Sequence, residues 1–304
     1  MKPKWGKIMM KLFEHNSASW VRYSDYEWKD SEDGHSYLVP AAGAEPRPYD
    51  PMANGEQMVL DALEVGSQLF HHEPDDAIKA AMRDFACKYG LLGIMTALPT
   101  TARFMEINHV VLPKNDYIRE LTMPVEDYIL LFFPFGKPDI QSAEDENRFS
   151  TEDKYEVALF LTYDGYPQAQ IMNFMRDYGE RYDWQAKVFR DWAFIMATSF
   201  LYYEDKDRVD EDTLDIYRRG MAAFDGNAPT YHIALLEGPT LVWDFHSLLL
   251  AIKMLLSMML TDEEHPLRLC RQCQKAFVSR SVHTKFCSQN CKKKYNEEQM
   301  RRRS

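Results

Sequence analysis

The sequence predicts a mainly α protein with minor β content: a helical N-terminal body carrying a few short strands, then a small C-terminal module built on cysteines. Three observations predict it. Apolar residues recur at helical spacing over several long segments, as at Met58, Leu60, Leu63, Val65 and Leu69. The strand signals are short and bounded by Gly, Pro or Asp-Gly turns. Four of the five cysteines fall within the last 37 residues. The 304-residue chain is 45% hydrophobic and 27% charged, a balance that allows a packed core and argues against global disorder. We divide it into an α+β region over 1–140, a helical region over 141–265 that can share one body with the first, and the module over 266–304.

Residues 1–50 are rich in Trp, Tyr and Ser, and the Asp33-Gly34 pair predicts a turn between one or two short strands or hairpins. Residues 43–51 read as a connection. Helices then dominate. One is expected over 55–69, and a second opens at Pro74 with Asp75 and Asp76, since Pro and acids suit a first turn, and runs to about Thr96. Residues 105–114 read as a strand, and a short helix is expected over 128–133 before Pro134, Gly136 and Pro138 break the chain. The acidic stretch 139–152 is expected to be a loop or seam. Helical patterns follow at 154–163, 167–178, 184–203 and 212–224, with a turn at 225–227. Residues 230–236 suggest a strand ended by Gly238-Pro239, and a long helix is expected over 243–260, with a hinge at 261–266.

Several function classes find no support. There is no Gly-rich phosphate loop, no H-E-x-x-H and no nucleophile elbow. The densest titratable cluster, His71-His72-Glu73, forms no catalytic set, and His109, His232 and His246 are isolated in apolar stretches, with core or boundary positions expected for His232 and His246, so the chain is not expected to be an enzyme. Trp184, Trp192, Tyr202 and Tyr203 read as core. Cys87, in an apolar helical stretch, reads as a buried small hydrophobe. The clustered cysteines have metal spacing rather than a disulfide pattern, the N-terminal apolar stretch is too short for a signal peptide, and the longest apolar run, 248–260, is too short for a bilayer. A cytoplasmic protein without membrane partners is expected.

The cysteines stand as C-x2-C at Cys270 and Cys273, a thirteen-residue loop, then C-x3-C at Cys287 and Cys291. Thiolates are soft ligands, and two short pairs joined by a loop can close a tetrahedral site around Zn²⁺. Ser288 is a natural N-cap, which places Cys287 just before a helix and Cys291 in its first turn, with Tyr295 on the same face. Phe277, Phe286 and Tyr295 make a core too small to fold alone, so the metal is expected to supply the stability. With all four positions filled by sulfur, one structural Zn²⁺ is expected, in a treble-clef or zinc-ribbon-like finger. His265 and His283 are the alternative ligands.

Charge is uneven. Residues 268–304 hold eleven Lys/Arg against two Asp/Glu, a net of +9, which leaves −20 for residues 1–267 of a chain whose total is −11. A basic tail on an acidic body points to nucleic acid. The expected contacts are Arg271, Lys275, Arg280, Lys285, Lys292, Lys293, Lys294, Asn296, Arg301, Arg302 and Arg303, the cations to neutralise phosphates and Asn296, with Gln272 and Gln289, to meet base edges.

The runs C-R-Q-C-Q-K-A-F at 270–277 and K-F-C-S-Q-N-C-K-K-K-Y-N at 285–296 resemble the C-terminal zinc finger of the CGNR type, found in bacterial proteins regarded as transcription regulators. They look equally like the finger ending an uncharacterised clostridial family of unknown function. The Cys-Gly-Asn-Arg tetrad itself is replaced by Cys291-Lys292-Lys293-Lys294, so the resemblance implies metal ligation by the four cysteines and says nothing of residues 1–265. The expected function is that of a DNA-binding regulatory protein whose body senses a ligand or partner. Docking of the finger on a protein and RNA binding are the alternatives, and a homodimer is compatible with each.

Overall fold

A computed structural model describes residues 13, 15–16, 20–97, 104–106, 109–112, 117–136, 176–224, 229–245, 247–279, 281 and 284–303. Among these, 48% are helical and 20% lie in strands, so the class is mixed α+β; helix outweighs strand, but not by enough for a mainly α protein. Several strands escape a sequence reading because each spans only two to six residues and pairs in a small sheet.

Strands β1 (Trp20–Tyr23) and β4 (Pro46–Tyr49) pair antiparallel, Trp20 opposite Tyr49, so the expected connection at 43–51 contains a strand. Pro46 and Pro48, two apart, put both missing N–H groups on one side of β4, which an edge strand tolerates. Strands β2 (Tyr26–Asp30) and β3 (Ser36–Pro40) form the hairpin expected around Asp33-Gly34, and β8 (Glu180–Arg181) adds to β3 with Glu180 opposite Leu38. Residues 105–114 are not one strand: β5 (Phe104–Glu106), β6 (His109–Val111) and β7 (Thr122–Pro124) form a three-stranded meander.

Helix α1 (Gly55–Phe70) follows a 3-10 turn at Pro51–Asn54, in which Met52 N donates to the Asp50 carboxylate. Helix α2 (Asp75–Tyr89) starts at the expected acids but stops short of Thr96. Gly90 adopts φ +82° with ψ −177°, a positive-φ conformation that favours glycine and that a helix cannot continue through, and only a short helix, α3 (Ile94–Ala97), follows. Helix α4 (Val125–Leu130) is the short helix expected before Pro134. Helices α5 (Tyr182–Asp205) and α6 (Glu211–Ala222) match the expected 184–203 and 212–224.

The helix expected from residue 243 begins later. Strands β9 (Thr230–Leu235) and β10 (Pro239–Asp244) form a hairpin whose turn holds Gly238, and Trp243 lies opposite Tyr231. Trp243 N also donates to His15 O at 3.0 Å. These partners lie far along the chain, which is why local periodicity alone reads the segment as helix. Helix α7 (Leu248–Thr261) then starts after Ser247, a buried N-cap whose hydroxyl accepts from Leu250 N. The expected loop at 139–152, the helix at 154–163 and the turn at 225–227 lie outside the described residues, as does 167–175; residues 176–178 are not helical.

One continuous core runs from Phe13 to Leu267 and draws on both sides of the 140/141 boundary. Its spine is the crossing of α1 and α5. A Cβ built on Gly66 would lie 2.2 Å from Phe189 O and 2.8 Å from the Ala193 Cβ, so the helices approach as closely as a missing side chain permits. Trp184 and Trp192 are buried as expected, whereas Tyr202 is half-buried and Tyr203 is 58% exposed, both near the C-terminal end of α5. Cys87 is half-buried rather than buried and donates to Asp25 Oδ1 at 3.7 Å. Among the described residues no helix is long and apolar enough to cross a membrane.

At the centre of the body lies a fully buried carboxylate. Glu180 accepts hydrogen bonds from the backbone N–H groups of Leu92 (3.0 Å), Gly93 (2.6 Å) and Ile94 (3.0 Å), from Tyr178 Oη (2.8 Å) and from Gln185 Nε2 (2.7 Å). Gly93, at φ +73°, allows the turn that aims three successive N–H groups at one side chain. Burial raises the Glu180 pKa above its usual 4.5, and the hydrogen bonds from Gln185, Ile94, Leu92 and Tyr178 offset this only in part.

A folded pKa above the unfolded one means that the stability linked to this proton is complete below pH 4.5 and is lost as pH rises through the folded value. Glu180→Gln keeps the shape but turns one acceptor into a donor, at an expected cost of about 1–3 kcal/mol. Urea unfolding of both proteins between about pH 4 and pH 8 should show the wild-type advantage shrinking as pH rises. A gap that widens with pH would contradict the raised pKa.

Candidate metal centre

The described residues from Leu267 onward form a hairpin followed by a helix. Strands β11 (Leu267–Leu269) and β12 (Ala276–Val278) pair antiparallel, with Arg268 opposite Phe277. Their connection is a tight knuckle: Cys270 N donates to Lys275 O at 2.9 Å, Gln274 N donates to Cys270 O at 2.8 Å, and Gln274 takes a left-handed φ of 59°. Arg271 N donates to Lys285 O, which ties the knuckle to the second cysteine pair. Helix α8 (Gln289–Arg303) follows, and Ser288 Oγ accepts from Cys291 N at 3.2 Å, as its N-cap character requires.

The ligand atoms of Cys270, Cys273, Cys287 and Cys291 all lie within 4.8 Å of one another. Cys273 and Cys287 Sγ are 3.7 Å apart, and Cys287 and Cys291 Sγ are 3.6 Å apart. A tetrahedral ion with metal–sulfur bonds of about 2.3 Å sets its sulfurs about 3.8 Å apart, so the four thiolates can hold one metal ion. It would be held by sulfur alone, with Cys287 N donating to Cys270 Sγ at 3.4 Å behind it. Electrostatics point the same way. Burial opposes the Cys270 thiolate, but the N–H groups of Cys273, Cys287 and Gln272 outweigh it and lower its pKa to about 6. Cys287 is pushed up to about 12 by burial and by the thiols of Cys291, Cys270 and Cys273. Four thiols this close cannot all ionise without a cation between them.

The three aromatic residues expected to form the module's core are only partly assembled. Phe286 and Tyr295 pack with ring centroids 5.2 Å apart, while Phe277 is half-buried on β12. The module also leans on the acidic body. Arg271 pairs with Glu204 of α5 at 2.5 Å, Arg268 reaches the same carboxylate at 3.6 Å, and Lys275 pairs with Glu64 of α1 at 2.6 Å.

The expected nucleic-acid contacts therefore divide. Arg271 and Lys275 face the body and are paired with it. Lys293 lies 3.9 Å from Glu297 of its own helix, and Gln272 donates to Glu298 at 2.9 Å. Lys285, Lys292, Lys294, Asn296, Arg301 and Arg302 are exposed. Arg303 ends α8, and Arg280 lies outside the described residues, as does the alternative ligand His283. The other alternative, His265, is held beside Asp262 and takes no part in the cysteine cluster. Glu64 and Glu204 are the positions that sequence reading missed. Nothing marks either among the many acids of the body; only their partners across the fold do.

Among the described residues the histidines form no cluster. His71 and His72 end α1 in solvent, with His71 Nδ1 against Ser67 O. His232 is exposed rather than buried, on the Asp244 carboxylate at 2.8 Å. His109 is exposed on β6, and His246 lies outside the described residues. No protein-family model, curated protein or solved structure matches the chain.

Titration with Co²⁺ should give one equivalent bound with the intense thiolate absorption of a tetrahedral sulfur site, and Cys270→Ser should abolish that signal. Binding that survives the substitution would place the metal elsewhere.

Proposed function

We propose that the C-terminal module is a structural zinc finger that binds nucleic acid, and that the chain is a DNA-binding regulatory protein. The four-thiolate set suits Zn²⁺, and with no coordination position left for water the ion serves folding rather than chemistry. One cysteine pair on a hairpin knuckle and the other at a helix start favour the treble-clef arrangement over a ribbon with two knuckles. One observation carries the nucleic-acid reading. In a chain of net charge −11, Lys285, Lys292, Lys294, Arg301 and Arg302 stand exposed with no carboxylate pair among the described residues, while the inward cations Arg268, Arg271 and Lys275 are matched to body acids. Such a surface neutralises phosphates without choosing sequence. The resemblance to CGNR-type fingers is in keeping with this.

Duplex DNA binding by the full chain should weaken steeply with salt, with a log–log slope of about −4.5 if five phosphates are neutralised. Changing Lys292, Lys293 and Lys294 to Glu should remove most of the affinity at physiological salt while leaving metal content unchanged. Retention on RNA alone would favour the RNA-binding alternative.

A protein contact is favoured by a separate observation. Tyr231, Ile233 and Leu235 of β9 share one face of the hairpin with Pro239, Leu241 and Trp243 of β10, and Ile233 is 71% and Leu235 83% exposed. We propose a second copy of the chain as the occupant. The face is uncharged and so complements itself. Tyr231 and Leu241 on it are 63% and 44% exposed, so the apolar side chains form one contiguous face of the kind that a stable interface, burying about 800 Å² per partner, covers. Sedimentation equilibrium should report a dimer that Ile233→Asp converts to monomer without loss of helical circular dichroism. A wild-type monomer at micromolar concentration would refute it.

A further inference from the structure

Between β12, the loop that follows it and the first turn of α8 lies an open groove of about 630 Å³. Two half-buried aromatic side chains, Phe277 and Phe286, line it together with Thr284, Lys285, Gln289 and Lys292. Both lysines are exposed and lack an acidic pair among the described residues, in contrast to Lys275 on the opposite side of the knuckle. The groove thus combines aromatic surface, two available cations and amide and hydroxyl groups.

We infer that this groove receives a nucleotide unit of a single-stranded nucleic acid, its base stacked on Phe277 or Phe286 and its flanking phosphates held by Lys285 and Lys292. The inference rests on the nucleic-acid reading above and specifies the form of nucleic acid. Its physical basis is shape. A duplex is read by elements that protrude into its grooves, and its bases are stacked out of reach. A concavity takes a group that protrudes from the ligand, and a single strand can present an unstacked base in that way. An aromatic platform flanked by cations is the combination that single-strand binding uses: stacking accepts any base, and the cations track the backbone. The volume suits one nucleotide, since pockets for small ligands span about 300–1,000 Å³. Gln289 offers a donor and an acceptor to the base edge, while the Thr284 hydroxyl is already engaged with Ser281 Oγ at 3.2 Å. Arg271 and Lys275 are paired with acids of the body, whereas Lys285 and Lys292 at the groove are exposed.

The test uses the full-length metal-loaded protein. Fluorescence anisotropy compares a labelled strand of about 12 nucleotides as single-stranded DNA, as single-stranded RNA and as DNA duplex. At least one single strand should bind about tenfold tighter than the duplex. Lys285→Glu and Lys292→Glu should each weaken single-strand binding about three- to tenfold and make its salt slope shallower by about 0.7. Phe277→Leu keeps apolar bulk but removes stacking, and should weaken single-strand binding while duplex binding and the Co²⁺ spectrum stay unchanged. A strand carrying 5-iodouracil should photo-crosslink to Phe277 or Phe286. Equal or tighter duplex binding, indifference to these substitutions, or crosslinks confined to the outer face of α8 would overturn the groove assignment and leave the DNA-binding reading standing. Absence of binding to every nucleic acid would overturn both.

Discussion

The body is organised around one buried carboxylate. Glu180 sits where β8 joins β3 and two residues before α5 begins, and it gathers the N–H groups of Leu92, Gly93 and Ile94 from the turn after α2. That turn is tied onward, because Leu92 O accepts from Leu249 N at the start of α7. A single side chain therefore links a sheet, the long central helix and the turn that leads to the apolar helix α7. Its five donors explain why a carboxylate can stand in a core at all, since an unpaired buried charge would cost about 3–5 kcal/mol. The close crossing of α1 and α5 at Gly66 lies on the helix into which β8 leads directly, with Phe189 O against the bare glycine backbone.

The finger inherits its position from that crossing. Glu64 of α1 and Glu204 of α5 lie on the two crossing helices, and they receive Lys275, Arg271 and Arg268 from the hairpin that carries Cys270 and Cys273. Half-exposed ion pairs are individually weak. Their significance is directional: they settle which side of a small basic module faces an acidic body and which side faces solvent. The charge asymmetry of the chain is thus resolved within the fold, part of the positive charge being used inward and the remainder presented outward.

Much of the metal site was legible in the sequence. Cys270, Cys273, Cys287 and Cys291 converge as their spacing implies, and Ser288 caps α8 where its chemistry places it, because ligand pairs and caps are set by contacts within four residues. The long helices were legible for the same reason. The failures are equally physical. Gly90 stops α2 early through a backbone angle, and Trp243 lies in a strand because of partners at Tyr231 and His15, neither of which helical periodicity can report. The Tyr/Trp-rich composition around Tyr203 predicts core, yet it stands exposed near the end of α5.

By itself, then, the sequence determined the elements whose causes are local: the cysteine knuckle, the capped basic helix, the amphipathic helices and the sign of charge at each end. Only the tertiary structure decided which charges remain available. Arg271 and Lys275 look no different from Lys285 and Lys292 along the chain, yet the first two meet Glu204 and Glu64 across the fold and the second two flank an open groove. The physical reason is that Coulombic pairing depends on distance in space, and the partners of Lys275 and Arg271 lie far from them in sequence.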